Sequence, residues 1–167
     1  MSDSAIETLN WGSHLPALMA CVAVCDGPVL EIGSGHFSTP CLHAICSALE
    51  LSLTTIEADD VWRNQFTGYE TPGHRVLRQT NELVRELAQQ RWGVVLIDDQ
   101  PDNRLGWISM FFNASKYVLF HDANFPQYDI PVKEWLAANP CNHRFYTRYG
   151  PYTLVISKEH QIPEFQP

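Results

Sequence analysis

The chain has 167 residues, of which 45% are hydrophobic and 18% are charged, and its formal net charge is −8. This length suits a single domain, 1–167, and the composition excludes an intrinsically disordered chain. The acidic balance disfavours a nucleic-acid partner, because phosphate contacts need clustered Lys and Arg side chains.

The first residues, the apolar runs and the cysteines of the chain indicate neither a secreted protein nor a membrane protein. The first ten residues, MSDSAIETLN, lack the basic start and apolar core of a signal peptide. No apolar run reaches the ~18 residues that a membrane helix needs. The five cysteines contain no C-x-x-C pair, which indicates free thiols in a reducing compartment. We therefore expect a cytoplasmic protein, whose oligomeric state the sequence leaves open.

Apolar periodicity and turn residues predict alternating helices and strands. In chain order they are helix 15–24, strand 28–33, helix 38–50, strand 51–59, short helix 60–66, strand 74–80, helix 81–90, strand 92–99, helix 104–114, strand 116–123, helix 130–139 and two strands within 143–158. Ser38 or Thr39 is expected to cap one helix, and Asn81 another. The pattern predicts an α/β, Rossmann-like, doubly wound sheet of seven strands. It should be mostly parallel, with helices on both faces and an antiparallel hairpin at one edge.

The stretch EIGSGHFST, residues 31–39, predicts a ligand-binding turn. Gly33 and Gly35 allow the backbone to turn tightly and to approach a ligand closely. The helix that follows offers unpaired N–H groups at its start. Ligands of such sheets bind at the carboxyl ends of the strands, which is where this turn lies. A dinucleotide-binding turn would carry a third glycine, and Ser38 stands in that place.

Two acids narrow the choice of cofactor. Glu57 lies about 20 residues beyond the turn, where an acid can bind the ribose hydroxyls of NAD or of another adenosine compound. Glu31, inside the end of the first strand, repels a pyrophosphate but can accept from an ammonium group. S-adenosylmethionine carries both a ribose and an ammonium group, so it fits the two acids better than NAD does.

Five segments resemble the class I S-adenosylmethionine-dependent methyltransferases. They are VLEIGSGHFST, LTTIEADD, VVLIDD, YVLFHDAN and the final hairpin HRFYTRYGPYTLVISK. The resemblance covers about residues 11–158 and implies a compact member of that family that binds S-adenosylmethionine. The positions that it implies for cofactor binding are Glu31, Gly33, Ser34, Gly35, Ser38, Thr39, Glu57, Ala58, Asp59, Thr80, Asn81 and Asp98.

Candidate catalytic residues lie at the carboxyl ends of the fourth and fifth predicted strands. Methyl transfer needs an acceptor atom aligned with the methyl group, and often a base that removes a proton. Asp98 lies at the end of the fourth strand, and His121 and Asp122 lie at the end of the fifth. His14 joins this group if the first helix covers the site.

The same segments are similar to the metal-dependent O-methyltransferases related to the catechol enzymes. The similarity implies Mg²⁺ held by an Asp after strand four and an Asp-Asn pair after strand five. Asp98 and Asp122 match that set, but Ala123 stands in the Asn place and Asn124 falls one residue later. Mg²⁺ is therefore not the favoured expectation, and the sequence leaves the metal ligands unknown.

The sequence favours methyl transfer to an O or N atom of a small molecule. DDQPDN follows the fourth strand, in place of the N-P-P-Y or D-P-P-Y signature of amide-nitrogen methylation in DNA and proteins. Two alternatives stay open. One is a methyltransferase-like fold that binds a partner without catalysis, and the other is an NAD-dependent oxidoreductase.

Overall fold

The computed structural model describes residues 12–100 and 103–164. The helices are α1 (Leu15–Ala23), α2 (Ser38–Ala48), α3 (Asp60–Arg63), α4 (Asn81–Leu87), α5 (Arg104–Phe111) and α6 (Pro126–Ala138), with a 3₁₀ turn at Thr67–Tyr69. The strands are β1 (Val29–Ile32), β2 (Leu53–Glu57), β3 (His74–Arg78), β4 (Trp92–Ile97), β5 (Ser115–Phe120), β6 (Asn142–Tyr146) and β7 (Thr153–Ser157). None of these helices combines the length and the apolar character needed to cross a membrane.

Within the described residues, seven strands form one sheet in the order β3-β2-β1-β4-β5-β7-β6. Strands β1 to β5 pair in parallel, whereas β7 runs antiparallel between β5 and β6. The predicted seven-stranded sheet with a terminal antiparallel hairpin is confirmed. The chain winds outward in opposite directions from β1 and from β4, so a crevice opens at their carboxyl ends.

Helices bury both faces of the sheet. On one face, Leu18 of α1 and Leu42 of α2 pack with Leu96 of β4. On the other face, Phe111 of α5 and neighbouring residues of α4 and α6 pack with Ile97. Every residue of β4 is buried, as its continuous apolar run predicts for a central strand. Polar side chains that leave the sheet at the ends of β1, β2, β4 and β5 therefore gather at one edge.

Some element boundaries differ from the sequence prediction. Helix α6 begins at Pro126 rather than at residue 130, because Phe125 has an extended backbone and proline suits the first turn of a helix. The predicted strand 116–123 ends at Phe120. His121 and Asp122 therefore lie in the loop beyond β5, where Asp122 adopts a positive φ of 60°.

The expected helix caps were also wrong. Helix α4 is capped by Thr80, whose Oγ1 accepts from the backbone N–H of Leu83 at 3.1 Å, and not by Asn81. Neither Ser38 nor Thr39 caps α2, since both lie in its first turn. Their side chains are directed instead to the buried carboxylate beneath the glycine turn, described below.

Candidate active site

The glycine turn after β1 depends on close backbone packing. Gly33 has a φ of +90°, and a Cβ there would lie 2.3 Å from the carbonyl oxygen of Asp98. Only glycine fits a position that is both left-handed and this close to the neighbouring chain. At Gly35 the nearest atom to an added Cβ is the hydroxyl of Ser38, at 3.0 Å. The turn is as tight as its glycines predicted, and at Gly33 it packs closely against the backbone that follows β4.

Glu31 lies beneath this turn and is fully buried. Its Oε2 accepts hydrogen bonds from Thr39 Oγ1 at 2.9 Å and from Thr55 Oγ1 at 2.7 Å, while its Oε1 has no hydrogen-bond partner in residues 12–100 and 103–164. Thr39 Oγ1 also accepts from the backbone N–H of Gly35 at 3.0 Å. Burial raises the pKa of Glu31 to about 7, although hydrogen bonds from Ser38 and the two threonines oppose that shift. This expected cofactor residue therefore supports the turn from below, away from the exposed edge.

Glu57 ends β2 and is tied to the tip of the glycine turn. Its Oε2 accepts from the backbone N–H of Ser34 at 3.0 Å and from the Ser34 hydroxyl at 3.1 Å. Its Oε1 accepts from the backbone N–H of Asp59 at 2.9 Å. Asp59 in turn caps α3 with its own carboxylate. Because a carboxylate oxygen has two acceptor sites, Oε1 of Glu57 can still accept one donor from a ligand.

Three adjacent cavities run along the carboxyl edge of the sheet, with volumes of about 780, 460 and 430 Å³. The largest lies beside Gly35, and the middle one beside Gly33 and Glu57. Both of these cavities are lined by Ser34, Trp62 and Asp98. The third is lined by Ala58 after β2, by Asn103 just before α5, and by four residues at and beyond the end of β3, which are Arg78, Gln79, Thr80 and Asn81.

Polar side chains from β4 and β5 meet on the wall of the largest cavity. His121 Nδ1 lies 3.1 Å from Asp98 Oδ2 and 3.6 Å from Asp122 Oδ1. Arg104, at the start of α5, pairs with the remaining oxygens: its Nη2 is 3.0 Å from Asp98 Oδ1 and its Nη1 is 2.6 Å from Asp122 Oδ2. Burial by itself would raise the pKa of Asp98, but the contact with the His121 ring and the positive charge of Arg104 lower it to about 2.

His14 joins this cluster from the start of α1. Its ring centroid lies 4.5 Å from that of His121 in an edge-on arrangement. His14 is 1% exposed, and within the part of the chain that the structure describes neither of its ring nitrogens has a hydrogen-bond partner. Burial, with a smaller effect of His121, lowers the pKa of His14 to about 4. The structure thus brings together all four residues that the sequence suggested for catalysis.

The two carboxylates that match the Mg²⁺ set of the metal-dependent O-methyltransferases already have partners. Arg104 bridges Asp98 and Asp122. The side-chain oxygen of Asn124 accepts from the backbone N–H of Tyr152 at 2.6 Å. The next acid along from Asp98, Asp99, accepts from Gln79 and from Trp107. The arginine supplies the positive charge that would otherwise come from a cation between the two carboxylates.

Arg104 and Ser13 are parts of the site that sequence reasoning missed. Arg104 is the one charged residue in the apolar helix RLGWISMF, and it stands at the helix start, where the dipole disfavours a cation. That placement is a signal that acidic partners lie nearby. Ser13 gives no such signal. It reaches His121 only because α1 packs beside the end of β5, 108 residues away in the chain.

By sequence, the chain matches no protein-family model and no curated protein. Its fold is similar to several solved structures. An SAH-bound methyltransferase from Podospora anserina has a TM-score of 0.68 at 12% identity, with 96% of this chain and 89% of that chain covered. An O-methyltransferase of tomaymycin synthesis from Streptomyces achromogenes, in complex with SAM, has 0.66 at 15%, covering 87% and 79%. A ribosomal protein L11 methylase from Lactobacillus delbrueckii subsp. bulgaricus has 0.57 at 17%, covering 89% and 79%.

These three methyltransferases match the fold of this chain over 87–96% of its length. This chain has a seven-stranded sheet in which β7 is antiparallel. It also has a glycine turn after β1 and an acid at the end of β2. Both features were expected from the sequence resemblance. The chain has the class I S-adenosylmethionine-dependent methyltransferase fold.

Proposed function

We propose that the chain binds S-adenosylmethionine and transfers its methyl group to an oxygen or nitrogen atom of a small molecule. The observation that carries this proposal is the row of three adjacent cavities at the carboxyl edge of the sheet. A ligand with a methionine part, a ribose and an adenine has the elongated form that such a row accommodates.

The residues beside the middle cavity fit the ribose. Glu57 has acceptor capacity left on Oε1, and its contacts with Ser34 and Asp59 hold the carboxylate in one orientation. The third cavity, between Ala58 and Asn81, has a mainly polar lining whose side chains can hydrogen-bond to the adenine. The glycine turn would hold the methionine part, with Glu31 and Thr39 supporting it from below.

The acceptor would bind in the largest cavity. Apolar Phe37, Phe125 and Pro151 line it together with the polar cluster of His14 and His121. A pocket that is mainly apolar with a few convergent polar groups is typical of small-molecule sites. Bound S-adenosylmethionine supplies an electrophilic methyl group on its sulfonium. The work left to the chain is to orient the acceptor atom and to handle its proton. We assign that work to Asp98, His121, Asp122 and His14.

Thermal unfolding with excess S-adenosylhomocysteine, S-adenosylmethionine or NAD tests the cofactor. A ligand at ~100 times its Kd stabilises by about 2.7 kcal/mol, which for this size raises Tm by roughly 5 to 10 °C. We expect that shift with the two adenosylated sulfur compounds and none with NAD. A shift with NAD alone would support the oxidoreductase, and no shift with any ligand would support the non-catalytic alternative.

The catalytic role of His121 is tested with a variant that still binds the cofactor but lacks the imidazole. We expect His121→Ala to retain S-adenosylhomocysteine binding and to lose the transfer of label from methyl-labelled S-adenosylmethionine to a panel of phenols, alcohols and amines. His143→Ala, on the surface strand β6, serves as the matched control. Equal transfer by both variants would contradict the role given to His121.

A further inference from the structure

We propose that His14, Asp98 and His121 form a binding site for one divalent transition-metal ion on the wall of the acceptor cavity. One potential ligand atom from each of these residues lies within 4.8 Å of the other two. All three residues line the 780 Å³ cavity. Two imidazoles and one carboxylate are ligands that suit Zn²⁺ or Fe²⁺, whereas Mg²⁺ prefers oxygen ligands.

The first argument is the direction of the hydrogen bonds at His121. Ser13 Oγ lies 2.6 Å from the carbonyl oxygen of Pro151, to which it must donate its single proton. The same Oγ lies 3.0 Å from His121 Nε2, so Nε2 carries a proton and donates to Ser13. A serine held this way is not a nucleophile activated by His121, because in that arrangement the histidine accepts from the hydroxyl.

The donation from Nε2 leaves the other ring nitrogen facing a carboxylate. In the neutral tautomer, His121 Nδ1 presents a lone pair to Asp98 Oδ2 at 3.1 Å. Two acceptors at that distance repel each other unless a positive species lies between them, either a proton or a metal ion. Metal-binding histidines commonly donate their second N–H to a nearby acceptor, which is the arrangement that Ser13 provides.

The second argument is His14, which distinguishes a metal ion from a proton. His14 is 1% exposed, and both of its ring nitrogens lack a partner among the described residues. A buried polar group without a partner costs about 1–3 kcal/mol, so such groups are rare in folded proteins. A proton shared by Asp98 and His121 does nothing for His14. An ion bound to all three residues satisfies one of its nitrogens.

The local charge and spacing also suit a cation. Asp98 and Asp122 carry two negative charges against the single positive charge of Arg104, so the cluster is net negative when the histidines are neutral. Arg104 contacts Asp98 Oδ1 and leaves Oδ2 for the ion. Ligand atoms ~2.1 Å from one tetrahedral ion lie roughly 3.4 Å apart. The three ligand atoms here lie within 4.8 Å of one another, so side chains must move by on the order of 1 Å to bind the ion.

The role of this metal site in catalysis rests on the proposed function. An ion on the wall of the acceptor cavity would act as a Lewis acid toward an acceptor hydroxyl, which favours methylation of oxygen over nitrogen. Binding of the ion itself is independent of the cofactor. The two proposals can therefore fail separately.

Titration of metal-free full-length protein with Co²⁺ tests the site, with visible absorption reporting imidazole coordination and calorimetry with Zn²⁺ reporting the stoichiometry. We expect one ion per chain and no comparable binding of Mg²⁺. His14→Phe keeps the volume and the apolar packing, so we expect it to fold and to lose this binding. Ser13→Ala should weaken it by about 10- to 100-fold, the usual effect of removing a partner of a ligating histidine.

His43→Gln is the matched control, because His43 and His74 form a second histidine pair, with their Nδ1 atoms 3.1 Å apart. We expect it to bind Co²⁺ as the unaltered protein does. The proposal is overturned if no ion binds at one per chain, if His14→Phe binds equally well, or if His43→Gln abolishes binding. S-adenosylhomocysteine binding without metal binding would remove the site and leave the proposed function, and the converse result would remove the function alone.

Discussion

Ser34 donates two hydrogen bonds to the same oxygen of Glu57, one from its backbone N–H at 3.0 Å and one from its hydroxyl at 3.1 Å. The tip of the glycine turn is thereby tied to the end of the neighbouring strand β2. A single carboxylate both shapes the turn and offers its other oxygen to a ligand. The proposed cofactor contact and the local order of the turn therefore depend on the same residue, Glu57.

Glu57→Gln should weaken the binding of S-adenosylhomocysteine by about 10- to 100-fold. The amide replaces one acceptor by a donor, and a hydrogen bond to a charged group contributes ~1.5–3 kcal/mol. Titration calorimetry measures the change. The control is Asp60→Asn, since Asp60 is a nearby half-buried acid that pairs with Arg63 and Arg78. Equal losses in both variants would mean that overall charge, and not the Glu57 contact, determines affinity.

Two glycine-to-alanine variants should change stability in opposite directions. Gly33→Ala forces a Cβ onto the backbone of Asp98 at a φ of +90°, and we expect a loss of about 2–4 kcal/mol in the free energy of unfolding. Gly106 lies in α5, where an added Cβ meets nothing within 4 Å. Gly106→Ala should stabilise the protein by about 0.5–1 kcal/mol. Urea denaturation of both variants measures the difference, and similar effects in the two would contradict the packing argument.

Arg104→Met should destabilise the fold by about 3 kcal/mol, because it leaves the carboxylates of Asp98 and Asp122 without their cation in a largely buried cluster. The control is Arg144→Met, which removes the exposed pair with Glu164 and should cost less than ~1 kcal/mol. Chemical denaturation compares the two. A small effect of Arg104→Met would show that solvent screens the cluster.

Glu31 should make stability depend on pH between about 4.5 and 7. Burial raises the pKa of Glu31 from 4.5 to about 7 in the folded state. The folded chain therefore binds more protons across this window, and the contribution of Glu31 to stability falls as the pH rises through it. Two buried histidines act in the opposite direction. Burial lowers the pKa values of His14 and His74 to about 4, so their contribution rises between about pH 4 and 6.5.

Comparison with Glu31→Gln separates the effect of the Glu31 carboxyl group on stability from the effect of those two histidines. The glutamine keeps an acceptor for Thr39 and Thr55 and cannot ionise. As the pH rises from 4.5 to 7, we expect the free energy of unfolding of the variant to increase relative to that of the unaltered protein by up to ~3 kcal/mol. The charge of Asp98 stays constant over this range, because its pKa is held at about 2. Parallel stability curves for the two proteins would refute the assignment.

The sequence by itself determined the order of helices and strands, the parallel sheet with its terminal hairpin, and the edge at which the site lies. Those features follow from local patterns: buried runs make strands, and glycines permit the turn after β1. The resemblance to class I methyltransferases also implied that Glu31 and Glu57 bind the cofactor. It did not indicate that Glu31 lies buried beneath the turn whereas Glu57 lies beside a cavity. That distinction depends on which side chains of α2 and β2 pack against each carboxylate.

Only the tertiary structure decided the contacts of the polar cluster. Arg104 could be paired with Asp98 and Asp122 only once α5 was packed against the ends of β4 and β5. The link from Ser13 to His121 spans 108 residues. Such contacts depend on how helices pack across the sheet, which no local pattern of residues encodes. The same packing leaves His14 buried, with neither ring nitrogen paired to another described residue, and the sequence WGSHLP gives no sign of this.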